Sequence, residues 1–342
     1  MKLSIIIPCY NVENFVQKCV ESILFQKDIE LEIIAINDGS TDKTLEKLQK
    51  IAKDEPRLIV TDKENEGVSK ARNIGLEKAN GNYFMFVDGD DWLDKDCLSY
   101  LLKEIEGNDI LCFSYIREYR SKSLVKDLKL SGVFSSAFFQ RTLFGLLDDE
   151  IEKYESIDAL VTCWGKIYKR ECIANIRFRD IREIGTWEDG IFNIQVAENA
   201  KKVKILNQPY YHYRKDNEQA ITTIYKKQLA EKWQIKYEWL QAYIVKYHKG
   251  ESYNQALNNR IAITFLGLFL NEMNADSNFI NKFGKIKNHI NNEFFSDKIR
   301  KFKSQKLPLI WRIFYFCIRN KFTFLVVIGL YLISYLREKD NK

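Results

Sequence analysis

Proline and glycine are scarce, 4 and 15 in 342 residues, which excludes collagen-like and long Pro/Gly-rich disordered chains. The seven cysteines (Cys9, Cys19, Cys97, Cys112, Cys163, Cys172, Cys317) never approach a CxxC spacing. Neither a zinc site nor a disulfide framework is signalled, and reduced, mostly buried thiols are expected. No GxGxxG and no GxxxxGK[ST] occurs, so the dinucleotide fingerprint and the P-loop are both missing. The amino terminus, MKLSIIIPCYN, has too short an apolar run for a signal peptide and reads as a first strand ended by Pro8 and Asn11. A membrane-spanning run is absent as well. Phe322 to Leu336 is fifteen residues without a charge, short of the roughly 20 that a span needs.

What is present is an ordinary globular composition, 46% hydrophobic and 29% charged, with a net charge of +6. Residues 1 to 115 alternate strand and helix. A continuous apolar run at 3–8 suits a strand buried on both faces, and further strands are read at 31–38, 58–62, 83–88 and 109–115. Helices fill the gaps at 11–26, where the apolar residues show a helical period, from Ser40-Thr41-Asp42 to about Lys53, and at 68–78 and 94–104. This order argues for βαβ units and a mainly parallel sheet, an α/β fold. Further on, 116–132 reads as an exposed hairpin or loop, 135–147 as a helix, 162–168 as a short strand and 187–199 as a helix. Two strands, 202–206 and 210–214, follow. Helices are then expected at 226–247, 252–273 and 278–291, and a last one from about Leu307.

In an open parallel sheet, ligands bind beyond the carboxyl ends of the strands. Strand one ends in Pro8-Cys9-Tyr10-Asn11, strand two in Asn37-Asp38-Gly39, and the strand FMFV in Asp88-Gly89-Asp90-Asp91. Lys70 and Arg72 sit in the first turns of the helix that starts near Gly67. Carboxylates crowded onto one rim repel one another unless a cation intervenes. A hard divalent ion, Mn2+ or Mg2+, held by the DxD and by substrate phosphates accounts for the cluster.

The segments SIIIPCYN, INDGSTD, EGVSKARNIGL and FVDGDDWLD, in this order and spacing, resemble the nucleotide-sugar glycosyltransferases of family 2. The resemblance is strong over 1–115 and continues through WGKIYKRE and WEDGIFN to about residue 216. It implies a GT-A fold and an inverting, metal-dependent transferase. By that resemblance Pro8, Tyr10 and Asn11 border the nucleoside, Asp38 accepts from the base, and Lys70 and Arg72 meet the nucleotide or its phosphates. Asp88 and Gly89 lie on the ribose side. Asp90 is the metal ligand, with Asp91 as second candidate and His212 as a further one, unless His212 is a packed strand residue. Asp189 is the general base, with Glu188 as its alternative. Trp164 and Trp187 either stack on an acceptor sugar or belong to the core. Asp94 is expected to cap the helix that follows it, and Asp42 to cap the helix after SerThr.

The implied domains are a catalytic domain over 1–220 (nucleotide half 1–115, acceptor half 116–220), a helical region over 221–305 and an apolar, cationic end over 306–342. The Lys/Arg excess after Asn292 calls for an acidic partner. Arg312, Arg319, Lys321, Arg337 and Lys339 punctuate or close the most apolar segment, which fits an interfacial helix pair over 307–339 better than a span. The expected partners are therefore a UDP-sugar, a glycan or lipid-linked glycan acceptor and a membrane surface, with no nucleic acid and room for a homodimer. The expected location is cytoplasmic, peripheral at the inner face of the cell membrane, in surface polysaccharide synthesis. A catalytically silent nucleotide- or glycan-binding protein of the same fold is the alternative. A nucleotidyltransferase is disfavoured, because CysTyrAsnValGluAsn replaces the Gly-rich basic loop that such enzymes carry after strand one.

Overall fold

The computed structural model describes residues 1–216 and 225–340, with side chains as far as residue 334. The 220/221 boundary and the side chains of Arg337 and Lys339 lie outside the described residues. Two compact units are present. The first comprises Met1–Leu143, Asp158–Arg182 and Thr186–Asn217. The second comprises Phe144–Ile157, Glu183–Gly185 and Glu218–Lys342.

The first unit begins β1 (Lys2–Cys9), α1 (Val16–Leu24), β2 (Glu30–Asp38), α2 (Thr44–Asp54), β3 (Leu58–Lys63), α3 (Val68–Lys78) and β4 (Tyr83–Phe86). It continues β5 (Trp92–Leu93), α4 (Cys97–Glu104), β6 (Ile110–Glu118), β7 (Ser123–Val125), β8 (Gly132–Ser135) and α5 (Ser136–Phe144). After a 3-10 turn come β9 (Lys166–Lys169), the short helices α6 (Arg170–Ile173) and α7 (Ile181–Ile184), α8 (Glu188–Asn199) and β10 (Lys202–Arg214). Among the described residues ten strands form one sheet in the order β3-β2-β1-β4-β9-β6-β10-β5, with β7 on β6 and β8 on β10. The pairs β3/β2, β2/β1, β1/β4 and β6/β10 are parallel, whereas β9 runs antiparallel to both its neighbours. The runs IIIP and IIAI are apolar throughout because β1 and β2 are buried along almost their whole length. Helix α3 lies so close to β1 that a Cβ at Gly75 would sit 2.3 Å from Ile6 Cγ2.

Three departures from the sequence reading have local causes. The strands expected at 202–206 and 210–214 are one strand, β10, whose register shifts at Leu206–Pro209 and Pro209–Tyr211. Pro209 lacks an N–H and is accommodated at that irregularity, so Asn207-Gln208-Pro209 does not break the strand. Helix α4 starts at Cys97, three residues later than expected, because Trp92–Leu93 pairs with β10 as β5. Asp94 therefore caps nothing; Asp96, with φ +55, occupies the N-cap without a side-chain cap bond. Asp42 does serve the start of α2, since its Oδ1 accepts from Thr44 N at 2.9 Å, although the N-cap position itself is Lys43.

The second unit is helical: α9 (Leu229–Lys246), α10 (Glu251–Thr264), α11 (Leu266–Met273), α12 (Phe279–Asn291), α13 (Glu293–Lys301), α14 (Leu309–Arg319) and α15 (Thr323–Asp340). The helix expected over 252–273 is interrupted at Phe265, where Thr264 Oγ1 donates back to Arg260 O at 2.7 Å. Helix α13 was not foreseen. Asn292 looks like a terminator of α12, yet its side chain accepts from Phe295 N and caps the next helix. The last helix is two, divided at Asn320-Lys321, where Lys321 has φ +58. Arg260, 2% exposed, donates to Phe144 O and Ile157 O, and Asn259 donates to Leu146 O, so the 144–157 segment is tied to α10. All seven cysteines are buried free thiols.

Candidate active site

Parallel pairing brings the carboxyl ends of β1, β2 and β4 to one edge of the sheet. The turns beyond β1 and β2 are knitted together. Thr41 N donates to Asn11 Oδ1 at 2.8 Å, Asn11 N to Ser40 Oγ at 3.1 Å, and Val12 N to Thr44 Oγ1 at 2.9 Å. Asn11 adopts φ +51 to make this turn, which leaves Pro8 buried and Tyr10 49% exposed. Asp38 is buried and orders the approach to α3: Glu66 N and Gly67 N donate to it, and Lys63 Nζ lies 2.6 Å away. Lys70 is exposed in the first turn of α3.

Arg72, 3% exposed, lies at the centre of the site. Its guanidinium donates to Asp88 Oδ1 at 2.9 Å, to Asp189 Oδ1 at 2.8 Å and to Glu188 Oε1 at 3.3 Å. It thus turns toward carboxylates and not toward an open phosphate rim, because a buried cation requires paired charge. Its Nε is buried without a partner. The second oxygen of Asp189 accepts from Cys163 N at 2.9 Å. Three acids therefore share one guanidinium. Burial, with Asp189 adjacent and Arg72 opposing, pushes Glu188 up to about 7. Asp88, with 27% of its side chain exposed, is also raised by burial and by Asp90 and Asp189, while Arg72 pulls it down.

The DGDD turn is clamped from β10. Tyr211 OH accepts from Asp88 N at 3.1 Å and donates to Asp91 Oδ2 at 2.6 Å. Arg214 N donates to Asp91 Oδ1 at 2.8 Å, and Arg214 Nε donates to Asp90 O at 2.9 Å. Both oxygens of Asp91 are used, the residue is 1% exposed, and burial raises its carboxyl well above the usual range. Asp90 is half-buried, and Gly89 packs against the end of β1. His212 has both ring nitrogens occupied, Nδ1 by Glu118 at 2.7 Å and Nε2 by Asp94 at 2.9 Å, and its ring stacks on Trp92. Among the described residues, no three His, Cys, Asp or Glu side chains converge as a ready-made metal cage.

The two tryptophans separate. Trp164, 5% exposed, stacks on Tyr211 at 4.6 Å and meets Tyr115 and Tyr213, which makes it a core ring and not an open sugar platform. Trp187 is half-buried, has φ +79 and occupies the N-cap of α8, immediately before the two acids. A Cβ at Gly190 would fall 2.4 Å from its indole, so the WEDG order is a packing requirement.

Sequence reasoning overlooked Cys163 N–H, Tyr211 and Arg214, and it overlooked the hub behind Cys163. Asn193 donates to Val161 O and Thr162 O and accepts from Tyr168 OH, which also contacts Cys163 O. Buried Lys166 donates to Thr162 O. The alternation in YYHYR carried a signal for β10, but a backbone donor has none.

The mainly parallel sheet with carboxylates on one rim and a helical extension is the GT-A architecture. The fold resembles the crystal structure of Staphylococcus aureus TarS 1–349, with TM-score 0.64 and 20% identity over 95% of this chain and 89% of that one. A second crystal structure of that fragment, in complex with UDP-GlcNAc, gives 0.66. The family described as Glycosyl transferase family 2 matches residues 4–172. Uncharacterized glycosyltransferase EpsJ of Bacillus subtilis is 32% identical over 75% of this chain and 73% of its own length. Glycosyltransferase GlyA of Streptococcus pneumoniae is 36% identical over 62% of this chain, which spans 30% of that relative's length. The chain belongs to glycosyl transferase family 2, and it is a transferase enzyme.

Proposed function

We propose that the protein is an inverting glycosyltransferase that moves a sugar from a UDP-sugar to a hydroxyl of a glycan acceptor, with residues 1–220 as the catalytic domain. The observation that carries this reading is Arg72, which gathers Asp88 at the strand end and the Glu188-Asp189 pair at the start of α8 into one ion cluster. A donor-side carboxylate and an acceptor-side base are thereby held within one side chain's reach. UDP as the nucleotide is supported by the UDP-GlcNAc complex of TarS, which shares the fold.

In this reading Pro8, Tyr10, Asn11, Asp38, Lys70 and Gly89 border the donor. Asp189, oriented by Arg72 and Cys163 N–H, takes the acceptor hydroxyl's proton as the oxygen attacks the anomeric carbon. The bond from that carbon to the diphosphate breaks on the opposite side, configuration inverts, and the electron pair leaves with UDP. Glu188, holding a proton up to about pH 7, is the weaker candidate for the base.

The donor set fits a hard divalent ion. Half-buried Asp88 and Asp90 lie beside the buried Asp91, and the three carboxylates outnumber the two guanidinium groups, Arg72 and Arg214, that reach the DGDD turn. Such ions accept one or two protein carboxylates plus substrate phosphates. Asp90, aided by Asp88, would hold Mn2+ or Mg2+, which supplies positive charge to the departing diphosphate. Asp91 and His212 are excluded from this shell in our reading, because their polar atoms already bind within the protein.

The apolar, cationic helices after residue 307 support a lipid-linked acceptor, as in surface polysaccharide synthesis. A panel of sugar nucleotides, with nucleotide release followed for each, tests the donor reading. Release from a UDP-sugar only in the presence of a divalent ion supports it. Nucleotide release from a donor other than a UDP-sugar, or release that needs no divalent ion, contradicts it.

A further inference from the structure

We propose that α14, α15 and the start of α12 form one face that lies flat on an anionic lipid surface. The proposal deepens the lipid-linked acceptor reading but rests on the helical unit alone. On α14, Ile310, Ile313 and Phe316 are each more than half exposed and recur on one side of the helix, whereas Tyr315, Cys317 and Ile318 are buried. On α15, Phe324, Ile328 and Leu332 repeat the pattern at a spacing of four, and Val326, Val327 and Leu330 face inward. Both helices are thus apolar on the side the protein covers and on the side it leaves open. The open strips join where Phe316 meets Phe322, with ring centroids 6.1 Å apart. They extend to α12 where Tyr331 stacks on Phe279, beside Ile280 at 77% exposure. A continuous apolar surface of this kind marks an interaction face.

Charge decides what covers it. Residues 292–342 carry 11 Lys and Arg against 4 Asp and Glu, although the whole chain carries only +6. A second copy of the chain would bring Arg312 and Lys321 against their own kind and be repelled, whereas an anionic bilayer is attracted. Arg312 and Lys321 are exposed beside the strips, and their long stems can lie on apolar surface while their heads reach phosphate. Among the described residues no helix is long and apolar enough to cross a membrane, so the contact is with the surface, not a span.

The test is flotation of the full chain with vesicles of phosphatidylcholine alone or with roughly one third phosphatidylglycerol. The expected result is flotation with the anionic vesicles only, weakened by salt. Phe324→Glu with Ile328→Glu should cut the floated fraction about tenfold. Arg312→Gln with Lys321→Gln, which leaves the apolar strips untouched, should cut it several-fold. Nucleotide release from the sugar donor should be unchanged in both variants, which also shows that they fold. Absence of flotation with nucleotide release intact overturns the membrane face and leaves the transferase reading standing. Flotation without nucleotide release does the reverse. A wild-type dimer that becomes monomeric in Phe324→Glu with Ile328→Glu, with no flotation, assigns the face to a second copy and overturns the proposal.

Discussion

Arg72 Nη1 lies 2.8 Å from Asp189 Oδ1, joining the first turns of α3 to the first turn of α8 across 117 positions of sequence. The same guanidinium reaches Asp88 at 2.9 Å. Replacing it strips compensation from three enclosed carboxylates. Arg72→Met should lower stability by about 3 kcal/mol, read as a fall in Tm, and reduce kcat at least a hundredfold. Arg72→Lys should recover little of either, since one ammonium cannot reproduce the forked contacts. Thermal unfolding and nucleotide release check both. Near-wild-type values for Arg72→Lys would show that the fork is unimportant.

The pH behaviour follows from Glu188. Its carboxyl titrates near 7 in the folded protein, above the ordinary glutamate value of about 4.3. The folded state therefore holds this proton more tightly than the unfolded chain. The resulting stability is fully present below about pH 4.3 and is lost as pH rises through 7. Glu188→Gln removes that contribution's pH dependence. Measured without metal or nucleotide, Tm of the wild type should fall relative to Glu188→Gln by a few degrees between pH 5 and 8, two pH values chosen to bracket the titration. Parallel profiles would place the raised titration elsewhere.

Asp90 and Asp91 should separate cleanly. Asp90→Ala should abolish turnover at ordinary Mn2+ concentrations. Asp91→Ala leaves Tyr211 OH and Arg214 N without their acceptor and should cost about 2–3 kcal/mol. A chelator should silence the wild type, and Mn2+ or Mg2+ should restore it. Turnover retained in Asp90→Ala, or Tm unchanged in Asp91→Ala, would contradict the division of roles.

Asn193 is expected to act through Cys163 N–H. Asn193→Ala releases Val161 O, Thr162 O and Tyr168 OH in a fully buried place. Stability should fall by about 2 kcal/mol, and kcat should fall while the donor KM holds. A rise in donor KM with kcat intact would argue that the hub shapes the nucleotide side.

Much of the first unit was legible because central strands are buried on both faces and helices such as α1 and α2 are strongly periodic, as β1 and β2 beside them show. The rim carboxylates could be found in sequence because DGDD and ED are local. Their partners could not. Tyr211, Arg214 and Cys163 N–H reach Asp91 and Asp189 only through the shifted register of β10 and the 161–164 turn. The same long-range pairing makes Asp94 a partner of His212 where sequence suggested a helix cap. In the second unit, Asn292 ends one helix and caps the next, so a single residue type concealed α13.

The most direct test of the account is the turnover of Asp189→Asn beside Glu188→Gln, with UDP release measured on a donor and acceptor that the wild type uses. The account predicts a loss of about 10³ in kcat for Asp189→Asn, donor binding intact, and a much smaller loss for Glu188→Gln. Wild-type turnover in Asp189→Asn would contradict it.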